Sequence, residues 1–239
     1  MTTTINTNYQ RDEMVATRNT TYARLGGLTA LSGAIIMIIG ALLQFSSGTD
    51  LWAALAGGDM VGYLAAVVGV KAQLVANLTF WIVGVLLLGT AVNYLVNLCT
   101  QREPMAQVAR VCVGTAVPLA IISFIAMLAL VVQIAPTTLV ADTAATGVAI
   151  ANVVGWIGAR ADDLATALII GLPPLFLSIA ARDEWMPTWL VWWGYLAGVV
   201  GLLSLVVLYM PALAGLGMLI IPFGMGWMLA VGVVLLRRK

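Results

Sequence analysis

The side chains able to do chemistry in this sequence are few, and most of them stand in one short run. Arg160, Asp162 and Asp163 lie within four residues, and Lys71 and Asp59 occupy a comparable stretch earlier in the chain. Charges beside long apolar runs either pair with one another or face water, so this group reads as the mouth of an ion or solute pathway. A structural reading stands beside it. Asp162 or Asp163 would cap a helix beginning there, while Lys71 and Arg160 would lay their stems along lipid and keep their charges at its boundary.

Catalysis finds little else to work with. The chain has no histidine, which removes the commonest metal ligand and the readiest proton carrier near neutrality. Cys99 and Cys112 alone make no metal site, and on a reducing side of the membrane they stay free thiols. Ala56-Gly57-Gly58-Asp59 offers a glycine–aspartate pair of the kind intramembrane aspartyl proteases use. That chemistry needs two carboxylates sharing a proton, and no carboxylate pair can be placed at mid-depth in a span. The expectation is a non-enzyme with no catalytic, cofactor-binding or metal-binding residues and no cofactor.

The elements that must position the charged group follow from composition. Of 239 residues 62% are hydrophobic and only 9% charged, against roughly a quarter charged in a soluble domain. Lipid is therefore the expected solvent, and a net charge of +1 gives nucleic acid no purchase. Charges divide the chain into uncharged runs of 25 residues (Arg24 to Asp50), 30 (Lys71 to Arg102), 31 (Arg110 to Asp142) and 18 (Asp163 to Arg182). About 20 residues cross the hydrocarbon as a helix. The last run, Glu184 to Arg237, is 52 residues, long enough to turn back once, and Pro211 near its middle can break it. The reading is an all-α polytopic bundle of six spans near 25–46, 73–98, 107–133, 163–181, 187–209 and 212–236. Ahead of it lies a polar cytoplasmic segment, 1–24, whose first residues read as a mobile tail. Residues 237–239 form a basic cytoplasmic end.

Basic residues favour the cytoplasmic side. Placing both termini inside puts nine of the eleven there, leaving only Lys71 and Arg160 outside. Trp185, Trp189, Trp192 and Trp193 then gather at an inner headgroup layer, where amphipathic rings are favoured. The expected location is the inner membrane of a bacterium, with multiple passes through its lipid.

A shift of 86 residues aligns the first and third spans: Ala30, Ala34 and Ile39 fall on Ala116, Ala120 and Ile125. The same shift lays Val67-Val68-Gly69 on Val153-Val154-Gly155. Apolar sequence matches itself easily, yet one offset holds across two regions, which suggests a parallel duplication of the first four spans. The outer segments 52–70 and 139–158 are apolar with helical spacing. They are interfacial helices, re-entrant pieces or extensions of neighbouring spans, and packing as helices on the bundle's outer end is favoured; seven or eight helices in all would then be counted.

Polar residues inside the spans (Gln44, Asn77, Thr79, Asn93, Ser123, Gln133, Ser178) suit interhelical hydrogen bonding. Pro118, Pro173, Pro174 and Pro222 should distort their helices. Ala23-Arg24-Leu25-Gly26-Gly27-Leu28 and Pro187-x-Trp189-Leu190 followed by Gly194-x-Leu196-Ala197-Gly198 resemble the corresponding segments of a family of small bacterial polytopic membrane proteins, a domain of unknown function. That resemblance implies a helical membrane bundle and assigns no substrate or site residue. Transport or binding of a small solute or ion is the leading expectation. The alternative is a regulatory subunit docking a partner helix through Gly215, Gly217, Gly224 and Gly226, where small residues permit close approach.

Overall fold

A computed structural model of the chain describes residues 2–138, 144–207, 209–210, 219 and 221–237, with side chains from Asn19 onward except Ser204 and Val207. Every regular element among them is helical. We number these α1 (Thr2–Ser46), α2 (Leu51–Gly57), α3 (Met60–Gly69), α4 (Lys71–Asn97), α5 (Glu103–Thr138), α6 (Ala144–Ala181), α7 (Thr188–Val207) and α8 (Ile221–Arg237). Four helical stretches are long and apolar enough to cross a membrane: Asn19–Ser46, Lys71–Asn97, Glu103–Thr138 and Ala144–Ala181. The stretches expected as fifth and sixth spans contain the shorter apolar helices α7 and α8, while Pro211 and the turn expected around it lie outside the described residues.

Three sequence expectations need correction. The polar N-terminal segment is helical and continues into α1, since no glycine or proline before Gly26 interrupts it. The fourth span does not begin at Asp163, because α6 starts at Ala144 and takes in much of the expected outer segment as a straight extension. An aspartate nineteen residues into a helix does not cap it, so the capping role for Asp162 and Asp163 falls. By contrast, the earlier outer segment does fold as separate helices on the bundle's end. Asp50 accepts from the Ala53 amide to start α2, Gly58 ends it at φ 74°, and Asp59 accepts from the Gly62 amide to start α3. A positive φ at this break is open to glycine at little cost.

This difference also separates the two proposed repeats. Ala30 and Ala34 are buried, as are their counterparts Ala116 and Ala120. Leu64 and Val67 are buried under α3, whereas the matching Ile150 and Val153 are 48% and 61% exposed on the free face of α6.

The long helices form a ring in which each packs on the next: α1 on α4, α4 on α5, α5 on α6, α6 on α7, α7 on α8, and α8 back on α1. Glycines set the closest crossings. A Cβ on Gly232 would lie 2.9 Å from the Gly27 carbonyl oxygen, and one on Gly201 would lie 2.5 Å from the Gly171 Cα. Of the expected polar links, Asn77 donates to the Gly40 carbonyl at 2.8 Å and Ser123 to the Gly158 carbonyl at 2.8 Å, both buried. Thr79 and Asn93 instead bond back to their own helix. Outward faces are apolar: Val111, Ile122 and Trp192 are each more than half exposed, a pattern suited to lipid and costly in water.

Prolines leave a further mark. Among the described residues each π-helical turn, Leu130–Ile134, Ala167–Gly171 and Ile221–Met225, precedes or contains a proline: Pro136, Pro173 with Pro174, and Pro222. A proline lacks the amide that the carbonyl four residues earlier would accept, and its ring crowds that carbonyl. Widening the turn relieves the crowding without breaking the rod.

Gly224 faces the Ile170 carbonyl so closely that any Cβ would collide with it, while nothing lies within 4 Å of a Cβ on Gly114. Gly224→Ala should therefore lower the melting temperature in detergent through an overpacking cost of about 1–3 kcal/mol. Gly114→Ala should leave it unchanged or raise it. Equal melting temperatures for the two variants would contradict this packing.

Candidate functional site

The interior of the ring is not filled. Between α1, α4, α5, α6 and the start of α8 lies a cavity of about 620 Å³, roofed by α2 and bordered at that end by the 48–50 turn. Its walls are apolar and aromatic, including Trp81 of α4, Phe124 of α5 and Trp156 of α6. Trp81 and Phe124 lean on each other with ring centroids 5.5 Å apart. Val85, which also lines the cavity, lies fourteen residues into α4. At 1.5 Å per residue that is about 21 Å along the helix, near its middle. The π-helical turns of α6 and α8 form the floor through Ile169, Ile170, Ile221 and Met225. A widened turn shifts the register of the side chains after it, and such turns are frequent at functional sites.

Charge is confined to the mouth. Arg160, Asp162 and Asp163 line it together with Asp50. Asp163 is the joint of this group. One carboxylate oxygen accepts from the Trp52 indole at 3.1 Å, and the other pairs with the Arg160 guanidinium at 3.0 Å. Arg160 in turn stands 4.8 Å from the ring centre of Trp156, one turn earlier on α6, where a cation gains from the ring's negative face. Trp52 thereby ties the roof helix α2 to α6. Gly155 helps, since a Cβ there would sit 3.2 Å from Leu55 of α2. Asp162 lines the cavity half-buried and makes no hydrogen bond or ion pair with any described residue.

The structure splits the rest of the expected cluster. Lys71 does not line the cavity and donates to the Val132 carbonyl at 3.4 Å, in the π-helical turn of α5. Asp59 is exposed and spent on the cap of α3. Sequence reasoning missed Trp52 and Trp156. The Trp156–Arg160 spacing of four residues was a usable signal, because such pairs share a helix face; nothing local in the sequence joins Trp52 to Asp163.

At the opposite end a second set of polar contacts holds two turns together. The Glu184 carboxylate accepts from the amides of Thr100 and Gln101 at 2.8 and 2.6 Å, and Arg102 pairs with Asp183 at 2.7 Å. Burial pushes the Cys99 thiol up to about 11; a hydrogen bond with Trp185 opposes the rise and the Glu184 charge adds to it. Among the described residues no group of three or more histidine, cysteine or acidic side chains could hold a metal.

No family model matches the chain. The search of curated proteins likewise yields no match, nor does that of solved structures.

Asp163→Asn removes the charge facing Arg160 and should cost about 1–3 kcal/mol, lowering the melting temperature in detergent more than Trp52→Phe, which gives up one neutral donor. The reverse order would displace Asp163 from its role as the joint. For Cys99, the thiolate fraction at pH 8 is about one part in a thousand. In a Cys112→Ala background, maleimide labelling should be slow and rise about tenfold per pH unit towards pH 10. Rapid labelling at pH 7 would contradict the burial of this thiol.

Proposed function

We propose that this chain is a multi-pass inner-membrane protein whose cavity takes up a small, largely apolar solute from the outer side. Uptake would serve as the binding step of transport or of ligand sensing, without catalysis. The observation that carries this reading is the cavity. At about 620 Å³ it falls among ligand sites of roughly 300–1,000 Å³, which are apolar with a few placed polar groups. It also reaches from a charged mouth to the middle of the bundle, as a solute entering from one side requires.

In this reading α7 and α8 complete a set of six spans, and both termini face the cytoplasm. The mouth, with Arg160 and the short helices α2 and α3, faces out. Nine inside basic residues support that orientation. A duplication of the first four spans finds support in the buried alanine pairs of α1 and α5, and its outer segments would have diverged.

The alternative, a subunit docking through the last span, has less to stand on. Gly224 is packed against Ile170 and Gly226 against Trp193 of the same chain. Gly215 and Gly217 lie outside the described residues.

Tryptophans in the cavity wall give a direct readout. N-phenyl-1-naphthylamine, a neutral aromatic probe, should quench them in purified protein with a saturable component above that of empty micelles. Thr166→Phe, which fills the cavity from α6, should weaken that component at least tenfold. Quenching no greater than the micelle background would remove the binding reading. Orientation is testable in a Cys99→Ala, Cys112→Ala background. An impermeant maleimide added to intact cells should label Gly57→Cys and spare Gln101→Cys, and the opposite pattern would invert the topology.

A further inference from the structure

The charges at the mouth do not balance, and the imbalance bears on what the cavity accepts. Three carboxylates, Asp50, Asp162 and Asp163, share this space with one guanidinium, Arg160. Arg160 is committed to Asp163 at 3.0 Å, and Asp163 also holds the Trp52 indole. Asp50 spends one oxygen on the amide of Ala53 at the start of α2 and is exposed to solvent. Lys71, the other cation of the expected cluster, donates to the Val132 carbonyl. Asp162 is thus left as a carboxylate lining the cavity with no hydrogen-bond or ion-pair partner among the described residues.

Beyond it the wall is aromatic. Trp81, Phe124 and Phe45 line the same space, and their ring faces attract a cation, most strongly where water is excluded. No described lysine or second arginine lines the cavity to receive an anion. A delocalised cation with apolar substituents meets both requirements at once: its charge faces Asp162 and its substituents replace water against the apolar walls. A compact, strongly hydrated ion gains little from walls that offer it almost no oxygen ligands.

We infer that the cavity is selective for lipophilic monocations, such as quaternary phosphonium or aromatic ammonium compounds, with Asp162 as the counter-charge. This rests on the cavity being a ligand site and adds the charge of its ligand.

Tetraphenylphosphonium and tetraphenylborate, ions of nearly the same shape and opposite charge, separate the two claims. Equilibrium dialysis of the full chain in dodecyl maltoside, with empty micelles subtracted, should show the phosphonium binding at least tenfold more tightly than the borate. Asp162→Asn should weaken phosphonium binding at least tenfold, while Asp162→Glu retains it. Quenching by neutral N-phenyl-1-naphthylamine should change less than twofold in either variant. Equal binding of the two ions by the unaltered protein would overturn the charge selection, and so would unchanged phosphonium binding in Asp162→Asn. Saturable uptake of the neutral probe in the same sample would then leave the ligand site itself standing. The comparison of the two ions needs no variant, so a variant that fails to fold does not shelter the inference.

Discussion

Where Gly27 of α1 meets Gly232 of α8, no side chain separates the two backbones, and the same is true where Gly201 of α7 crosses Gly171 of α6. Between helices in lipid there is little hydrophobic gain, so association depends on close packing of small residues. Large rings do the opposite. Trp81, Phe124 and Trp156 line the inner side of the ring and take up more room there than the small residues at the crossings. Small residues close the circumference while aromatic ones face the interior, where the cavity lies.

Backbone chemistry shapes its floor. Prolines 173 and 174 would each leave a carbonyl without its usual donor, and in a lipid setting such groups need accommodation within the protein. The π-helical turn at Ala167–Gly171 supplies it, and it packs on the π-helical turn at Ile221–Met225 where Gly224 approaches the Ile170 carbonyl. The same distortion that tolerates proline therefore ends the cavity at mid-bundle. At the other end, one carboxylate does comparable work. Asp163 joins the roof helix α2 to α6 through Trp52 and pairs with Arg160. Shape and charge selectivity thus share a single joint.

The helical bundle, its long apolar helices and most of its charged mouth were legible in the sequence, because charges in an apolar chain mark where helices can end. Arg160, Asp162 and Asp163 stood out for that reason. The start of α6 was not legible: Ala144 to Gly158 carries no charge and no proline, so nothing local distinguishes an interfacial helix from an extension of the next span. Lys71 was grouped with the mouth by composition, yet a side chain's direction depends on the helix face it occupies, and it reaches the carbonyl of Val132 instead. The cavity itself was invisible for a related reason. It is built from residues on six helices whose mutual rotation no local pattern specifies.

The most direct test of this account is the accessibility of the cavity wall from outside the cell. Thr166 lines the cavity on α6, three residues beyond Asp163. In a Cys99→Ala, Cys112→Ala background, Thr166→Cys on intact cells can be treated with two impermeant methanethiosulfonates, one carrying a trimethylammonium and one a sulfonate. The account predicts modification by the cationic reagent at least tenfold faster than by the anionic one, with a free cysteine peptide used to normalise their intrinsic rates. Modification by neither reagent, or by both at equal normalised rates, would contradict an outward-facing cavity with a negative mouth.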